Sequence, residues 1–139
     1  GSADRPRRRL LIGDDEPKLR HFLKELLELH DFEILTAATG VDALETLSKE
    51  FVDVILLDIM MPVMDGYQVY HLLKENPRTR HIPIIIVTAK GERVDRALGI
   101  TLPSYNYVSK PFQMDELLSK IQEVLASASS NPAAAPARE

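Results

Sequence analysis

The stretch VILLDIMMPVMDG, from Val54 to Gly66, is the most informative part of the chain. Four apolar residues lead directly into Asp58, and a segment with the proline and glycine of a turn follows. A short, continuously apolar run of this kind is typical of a strand buried on both faces of a sheet. A carboxylate at its end is costly to desolvate unless a cation or hydrogen bonds compensate for the charge. The stretch therefore predicts a buried strand that ends at a polar site.

The composition is that of one ordinary globular domain. Of the 139 residues, 45% are hydrophobic and 27% are charged, which is enough apolar material for a core. No apolar run approaches the roughly 20 residues needed to span a bilayer, and no signal peptide is recognisable at the polar start. The absence of cysteine excludes thiolate chemistry and agrees with a cytoplasmic location. With a net charge of −4, we expect no direct contact with nucleic acid or membrane.

Both ends of the chain are predicted to lie outside the domain. Residues 1–7 are interpreted as a flexible basic leader, whose Gly1-Ser2 start looks like a cleavage scar left by recombinant expression. Its arginines could contact nucleic acid or a membrane surface, but a solvated flank is the simpler interpretation. Residues 127–139 are rich in Ala, Ser and Pro and are predicted to be a tail or an interdomain linker. The predicted domain covers residues 8–126.

Five apolar runs alternate with helical patterns along this domain. The predicted strands are RLLIG (9–13), FEILTA (32–37), VDVILLD (52–58), IPIIIVTA (82–89) and a fifth that lies within YNYVSKPF (105–112) and ends at Lys110. Apolar spacing predicts five helices. The first begins at Pro17 and has Leu19, Phe22, Leu23, Leu26 and Leu27 on one face, and the second follows a capping box at Thr39 and Asp42. The others are predicted over 66–75, weakly over 92–98, and over 117–125. Strands that are continuously apolar are buried on both faces, so the pattern predicts an α/β fold with a parallel sheet between helices.

Polar side chains follow the predicted strands at the points where they end. The first strand ends at Asp14 and Asp15, the third at Asp58, the fourth at Thr88 and the fifth at Lys110. In a parallel sheet these ends share one edge, which is where ligands bind. Crowded carboxylates repel one another unless a cation lies among them. A few hard oxygen ligands, with no His or Cys nearby, favour Mg²⁺ over zinc.

This combination has the groups that nucleophilic phosphoryl transfer requires. Asp58 would attack phosphorus to form an aspartyl phosphate, while Lys110 and the metal neutralise charge on the transferring group and Thr88 donates to a phosphoryl oxygen. Each residue also has a purely structural interpretation, as a helix cap for Asp15 or Thr88, a turn residue for Asp58, a surface lysine for Lys110 and a half-buried aromatic for Tyr107. Their conjunction at successive strand ends favours the functional interpretation.

Four segments resemble those of bacterial response-regulator receiver domains. They are GDDEP (13–17), LLDIMMPVMDG (56–66), VTAK (87–90) and YVSKPF (107–112), and the resemblance extends over residues 8–126. It implies a single flavodoxin-like domain with a doubly wound, five-stranded parallel sheet of order 2-1-3-4-5 and five helices. It also implies a signalling module that catalyses only the phosphorylation and dephosphorylation of its own aspartate, and is therefore not an enzyme in the usual sense.

The resemblance assigns a role to each residue of the acidic site. Asp58 would be the phosphoacceptor, supplied by the phosphohistidine of a sensor histidine kinase or a phosphotransfer protein. Asp15 and Asp58 would bind Mg²⁺ directly, Asp14 would lie close by, and the backbone carbonyl of Met60 would complete the protein ligands. Lys110 would pair with the acid and then with the phosphoryl group.

The resemblance also implies a conformational switch. The Lys110–Pro111 bond is expected to be cis, and Thr88 and Tyr107 would be the switch pair. The hydroxyl of Thr88 would move to the phosphoryl group and the ring of Tyr107 would rotate inward. The face made by the fourth helix, the fifth strand and the fifth helix would then present a changed surface to a downstream partner or effector domain, or to a second copy in a phosphorylation-dependent dimer.

Some positions depart from the pattern of the family. Gly13 stands where a β-branched residue is common, residues 103–107 replace a Gly-Ala-Asp-Asp-Tyr-like stretch, and Lys90 occupies a position that tunes hydrolysis of the aspartyl phosphate. The alternative function is a phosphorylation-independent receiver that acts as a docking module, although the presence of all five site residues argues against it. A Mg²⁺-dependent phosphatase with an aspartyl-phosphate intermediate is disfavoured, because the position of its second acid is occupied by Met60.

Overall fold

A parallel sheet of five strands forms the centre of the structure. The computed structural model describes residues 7–59, 66–88 and 106–129, so the helix predicted at 92–98 lies outside the described residues. The strands are β1 (Arg8–Gly13), β2 (Phe32–Ala37), β3 (Val54–Asp58), β4 (Ile84–Thr88) and β5 (Tyr107–Ser109). The described helices are α1 (Pro17–Glu28), α2 (Gly40–Lys49), α3 (Gly66–Glu75) and α4 (Met114–Ser129). The strand order β2-β1-β3-β4-β5 confirms the predicted flavodoxin-like topology.

Both faces of the sheet are covered by helices, which explains the continuous apolar runs. Along β3, Ile55 and Leu57 belong to the core cluster that contains the buried side chains of α2 and α3. Val54 and Leu56 belong to the opposite cluster, with the apolar side chains of α1 and α4. Since successive strand residues point to opposite faces, a strand between two helical layers must be apolar at every position.

The fourth strand begins two residues later than predicted. Ile82 donates its backbone N–H to the carbonyl of Thr79 at 3.0 Å and is therefore part of a turn. Pro83 has no N–H to donate to a neighbouring strand, although its carbonyl accepts from the backbone of Ile55 at 3.0 Å. The apolar character of Ile82 indicated burial correctly, but its hydrogen bonding excludes it from the strand.

The predicted apolar face of α1 needs one correction. Leu23 and Leu27 are buried as predicted, but Phe22, placed on the same apolar face, is 52% exposed. At the start of α2, the hydroxyl of Thr39 accepts the N–H of Asp42 at 3.1 Å, which is the first of the two bonds of the predicted capping box. Within the described ranges, no helix is both long and apolar enough to cross a membrane.

Candidate functional site

The parallel register brings the predicted acidic residues to one edge of the sheet. Gly13 at the end of β1 pairs with Leu57 of β3, so the next residues, Asp14 and Asp58, lie level with each other. Residues that are far apart in sequence therefore meet without any loop having to reach across the sheet. The short β1–α1 connection then places Asp15 beside them.

Three carboxylates form a cluster at this edge. Oxygen atoms of Asp14, Asp15 and Asp58 all lie within 4.8 Å of one another. Asp14 and Asp58 are only 3% and 4% exposed, whereas Asp15 is exposed to solvent. Buried carboxylates at such separations require compensating positive charge. The exposed carboxylate of Asp15 leaves the cluster accessible to a cation from solution.

Lys110 supplies part of the compensating charge. Its Nζ lies 2.9 Å from Oδ2 of Asp14 and 3.1 Å from Oδ2 of Asp58, and its side chain is 24% exposed. It is therefore a bridging residue, not the surface lysine of the alternative interpretation. The cluster of three carboxylates and one ammonium keeps a formal charge of −2. The Lys110–Pro111 bond is cis, as the resemblance implies.

The protonation of Lys110 follows from these contacts. Burial by itself lowers the pKa of Lys110, but the hydrogen bonds and charges of Asp14 and Asp58 outweigh it and leave the pKa raised above 10.5. A raised folded-state pKa means that the stabilisation by the ammonium is complete below pH 10.5 and is lost as the pH rises through the raised value. Lys110 is therefore charged throughout the physiological pH range.

Hydrogen bonds fix the acid pair at the end of β1. Oδ1 of Asp14 accepts the backbone N–H of Glu16 at 2.9 Å, and the backbone N–H of Asp14 donates to the carbonyl of Ala37 at 3.1 Å. Glu16 is the N-cap residue of α1, so the interpretation of Asp15 as the helix cap is wrong. The guanidinium of Arg20 donates to the carbonyl of Asp14 at 2.8 Å, a contact that the sequence analysis missed.

Gly66 allows α3 to begin directly against the end of β3. A Cβ atom at this position would lie 2.5 Å from the carbonyl oxygen of Asp58 and 2.5 Å from Cα of Ile59. The N–H of Gly66 donates to the carbonyl of Ile59 at 3.0 Å. The sequence placed Gly66 in a turn at the start of a helix and within the family motif, but did not reveal this close contact. A glycine at the first position of a helix, where other residues are better helix formers, is the signal that points to it.

The remaining predicted site residues are only partly described. Met60 and the side chain of Thr88 lie outside the described residues, although the backbone of Thr88 ends β4 and pairs with Ser109. Tyr107 is half-buried, and its hydroxyl is buried without a hydrogen-bond partner within the part of the chain that the structure describes. The carbonyl of Tyr107 accepts from Nζ of Lys120 at 2.6 Å, which links β5 to α4.

Comparison with known proteins gives consistent matches. The family model of the response regulator receiver domain matches residues 10–122. The transcriptional regulatory protein CpxR of Klebsiella pneumoniae is 40% identical over 117 residues, which are 84% of this chain and 49% of that protein. The chain therefore spans about half the length of the curated relatives that it matches.

Solved structures agree with the topology. The signal receiver domain of a histidine kinase from Syntrophus aciditrophicus superposes with a TM-score of 0.79 at 28% identity, covering 89% of this chain and 94% of that one. The response regulator TrrA of Thermotoga maritima, solved in complex with Mg²⁺-BeF, has a TM-score of 0.70 at 32% identity, covering 84% of this chain and 98% of that one. By its sheet order, its acidic edge and the family match over residues 10–122, the chain belongs to the response regulator receiver domain family.

Proposed function

We propose that this chain is a phosphorylatable receiver of two-component signalling, in which Asp58 accepts a phosphoryl group from the phosphohistidine of a histidine kinase or phosphotransfer protein. The observation that carries the proposal is the environment of Asp58. Its carboxylate is 4% exposed, shares a cluster with two further carboxylates and lies 3.1 Å from the ammonium of Lys110. A buried acid in an acidic cluster is unfavourable for folding alone, so a role in chemistry explains its presence.

The reaction follows from the groups at the site. A carboxylate oxygen of Asp58 attacks phosphorus, the O–P bond forms, and the P–N bond of the phosphohistidine breaks with its electron pair going to the imidazole. Lys110 is placed to stay within reach of the developing negative charge, because it already bridges Asp14 and Asp58. The product remains on the protein, so the chain acts as an acceptor and has no separate substrate to turn over.

The donor set also fits Mg²⁺, which we propose as the cofactor. Asp14, Asp15 and Asp58 offer hard oxygen ligands within 4.8 Å of one another, and Mg²⁺ prefers a few carboxylates together with phosphate and water. When bound, Mg²⁺ would neutralise charge on the phosphoryl group. The related TrrA was solved with Mg²⁺-BeF. We also keep the backbone carbonyl of Met60 as a proposed ligand.

We further propose Thr88 and Tyr107 as the switch pair, with the output surface beside β4, β5 and the last helix. The hydroxyl of Tyr107 has no hydrogen-bond partner in the described ranges, and its ring packs against the core cluster on the α2 and α3 side of the sheet. Among the described residues, no hydrogen bond of the hydroxyl has to break when the ring moves to a second position. The bond from Lys120 to the carbonyl of Tyr107 would transmit a movement of β5 to α4.

The partner that reads this surface belongs to the proposal as well. The matched relative is a transcriptional regulatory protein about twice as long as the matched region. We propose that residues 8–126 act as the switching unit in the cytoplasm and pass the signal to another domain or protein, or to a second copy of the domain.

Phosphoryl acceptance can be tested without the cognate kinase. The chain is incubated with acetyl phosphate, with and without Mg²⁺, and analysed by intact-mass spectrometry. We expect one added phosphate that depends on Mg²⁺ and is released by hydroxylamine, as an acyl phosphate must be. No adduct in a chain that remains folded by circular dichroism would contradict the proposal and favour the docking module that does not depend on phosphorylation.

The metal can be tested separately through Asp15. Replacing Asp15 with alanine removes one hard oxygen ligand from a site with few, so we expect Mg²⁺ affinity to fall by about 10-fold or more in a calorimetric titration. Glu16→Ala is the matched control, because this neighbouring acid is exposed and lies outside the three-carboxylate cluster. If the Asp15→Ala and Glu16→Ala variants had the same Mg²⁺ affinity, the metal would have to bind at another site.

A further inference from the structure

We propose that Arg20 is a positioning residue, which orients the Asp14–Asp15 peptide so that the carboxylate of Asp15 points into the cation site. The proposal rests on the function proposed above and extends it to a residue outside the acidic cluster. Arg20 lies in the first turn of α1 and is half-buried. Its Nη1 donates to the carbonyl of Asp14 at 2.8 Å, and that carbonyl belongs to the peptide group joining the two acids.

The need for such a contact comes from the different environments of the two acids. The carboxylate of Asp14 is held directly, by the N–H of Glu16 at 2.9 Å and by Lys110 at 2.9 Å. The carboxylate of Asp15 makes no hydrogen bond or ion pair with any residue in the described ranges. The direction in which this side chain leaves the main chain is therefore set by the backbone alone, and the bond from Arg20 restrains the carbonyl of the peptide that precedes it.

The location of Arg20 supports a specific role. The N-terminus of a helix carries partial positive charge, so a cation in the first turn is unfavourable and an acid is preferred there. The first turn of α1 contains no acid and does contain Arg20. The hydrogen bond to the carbonyl of Asp14 and the negative charge of the cluster, formally −2, offset this unfavourable interaction of Arg20 with the helix N-terminus.

Two effects of removing Arg20 have opposite signs, which makes the proposal testable. The guanidinium repels a cation, so if charge alone mattered its loss would strengthen Mg²⁺ binding. If Arg20 acts by positioning, its loss lets the Asp14–Asp15 peptide reorient and weakens Mg²⁺ binding. We expect the second effect to be the larger, because Arg20 is bonded at 2.8 Å to the peptide that it orients, whereas its charge acts on the cation through an interaction that salt screens.

The experiment is a calorimetric titration of Mg²⁺ into the full chain at a temperature at which every variant is folded. Arg20→Met keeps the length of the apolar stem and removes the donor, and we expect its Mg²⁺ affinity to fall about 10-fold at both low and high salt. Lys18→Met is the matched control, because it removes one charge from an exposed residue of the same helix. We expect its affinity to stay equal to that of the wild type or to rise.

The outcomes separate this proposal from the proposed function. Wild-type or tighter binding by Arg20→Met would overturn the role of Arg20, as would an equal weakening in Lys18→Met. Absence of Mg²⁺ binding in the wild type would contradict the proposed function itself. If Arg20→Met does not fold, Arg20→Gln is titrated in the same way, and the same loss of affinity is expected.

Discussion

Replacing Asp58 with asparagine is expected to reduce phosphoryl uptake below detection while leaving the fold intact. The amide has nearly the shape of the carboxylate and its oxygen can still accept from Lys110, which lies at 3.1 Å in the wild type. The neutral amide is not a nucleophile, so no acyl phosphate can form. Because the substitution removes one of three neighbouring carboxylates, it relieves repulsion and stability should not fall.

The measurement is intact-mass spectrometry after incubation with acetyl phosphate and Mg²⁺, combined with urea unfolding. Asp42→Asn serves as the control, since this exposed acid in the first turn of α2 lies outside the acidic cluster. The control should take up phosphate like the wild type. An equally labelled, hydroxylamine-sensitive Asp58→Asn variant would show that another residue is the acceptor.

Replacing Gly66 with alanine is expected to destabilise the protein and to disturb the same site. The new Cβ would lie 2.5 Å from the carbonyl oxygen of Asp58 and 2.5 Å from Cα of Ile59. Both atoms belong to the backbone, so no side-chain rotation can relieve the contact, and either α3 or the end of β3 must move. Overpacking of this kind costs about 1–3 kcal/mol of unfolding free energy.

The sign of the stability change distinguishes this mechanism from a general effect on the helix. Alanine is the better helix former by up to about 1 kcal/mol in a helix interior, so without the clash Gly66→Ala at the first residue of α3 would leave stability unchanged or raise it. We expect instead a lower midpoint in urea, together with slower labelling by acetyl phosphate at a temperature at which the variant is folded. A higher midpoint with unchanged labelling would show that the backbone contact does not constrain the site.

The strands were largely predictable from local patterns, and their order from the family resemblance. The run FEILTA (32–37) matches the observed β2 in full, although β2 is an edge strand that exposes Glu33 and Thr36. The run VILLD of β3 is apolar up to Asp58 because this central strand is covered on both faces. The predicted start of β4 was wrong because hydrogen bonding, and not burial, decides it: Ile82 is buried like a strand residue but belongs to a turn. The predicted apolar face of α1 was wrong at Phe22, which fits the helical period but is exposed.

The members of the acidic cluster were also predictable, since each directly follows or ends a predicted strand. A parallel sheet gathers strand ends at one edge whatever the loops do, so Asp14, Asp58 and Lys110 could be grouped from their positions alone. The roles of Thr88 and Met60 stay predictions, because the side chain of Thr88 and the whole of Met60 lie outside the described residues.

The sequence by itself determined the fold class, the strand order implied by the family motifs, and the residue types at the acidic edge. The tertiary structure decided which atoms pair: Lys110 with both Asp14 and Asp58, across 96 and 52 residues. It also decided that Gly66 contacts the backbone of Asp58 and that Arg20 holds the carbonyl of Asp14. The physical reason is that periodicity records only which face of an element is buried, whereas hydrogen bonds and close contacts depend on the distances that packing sets between elements.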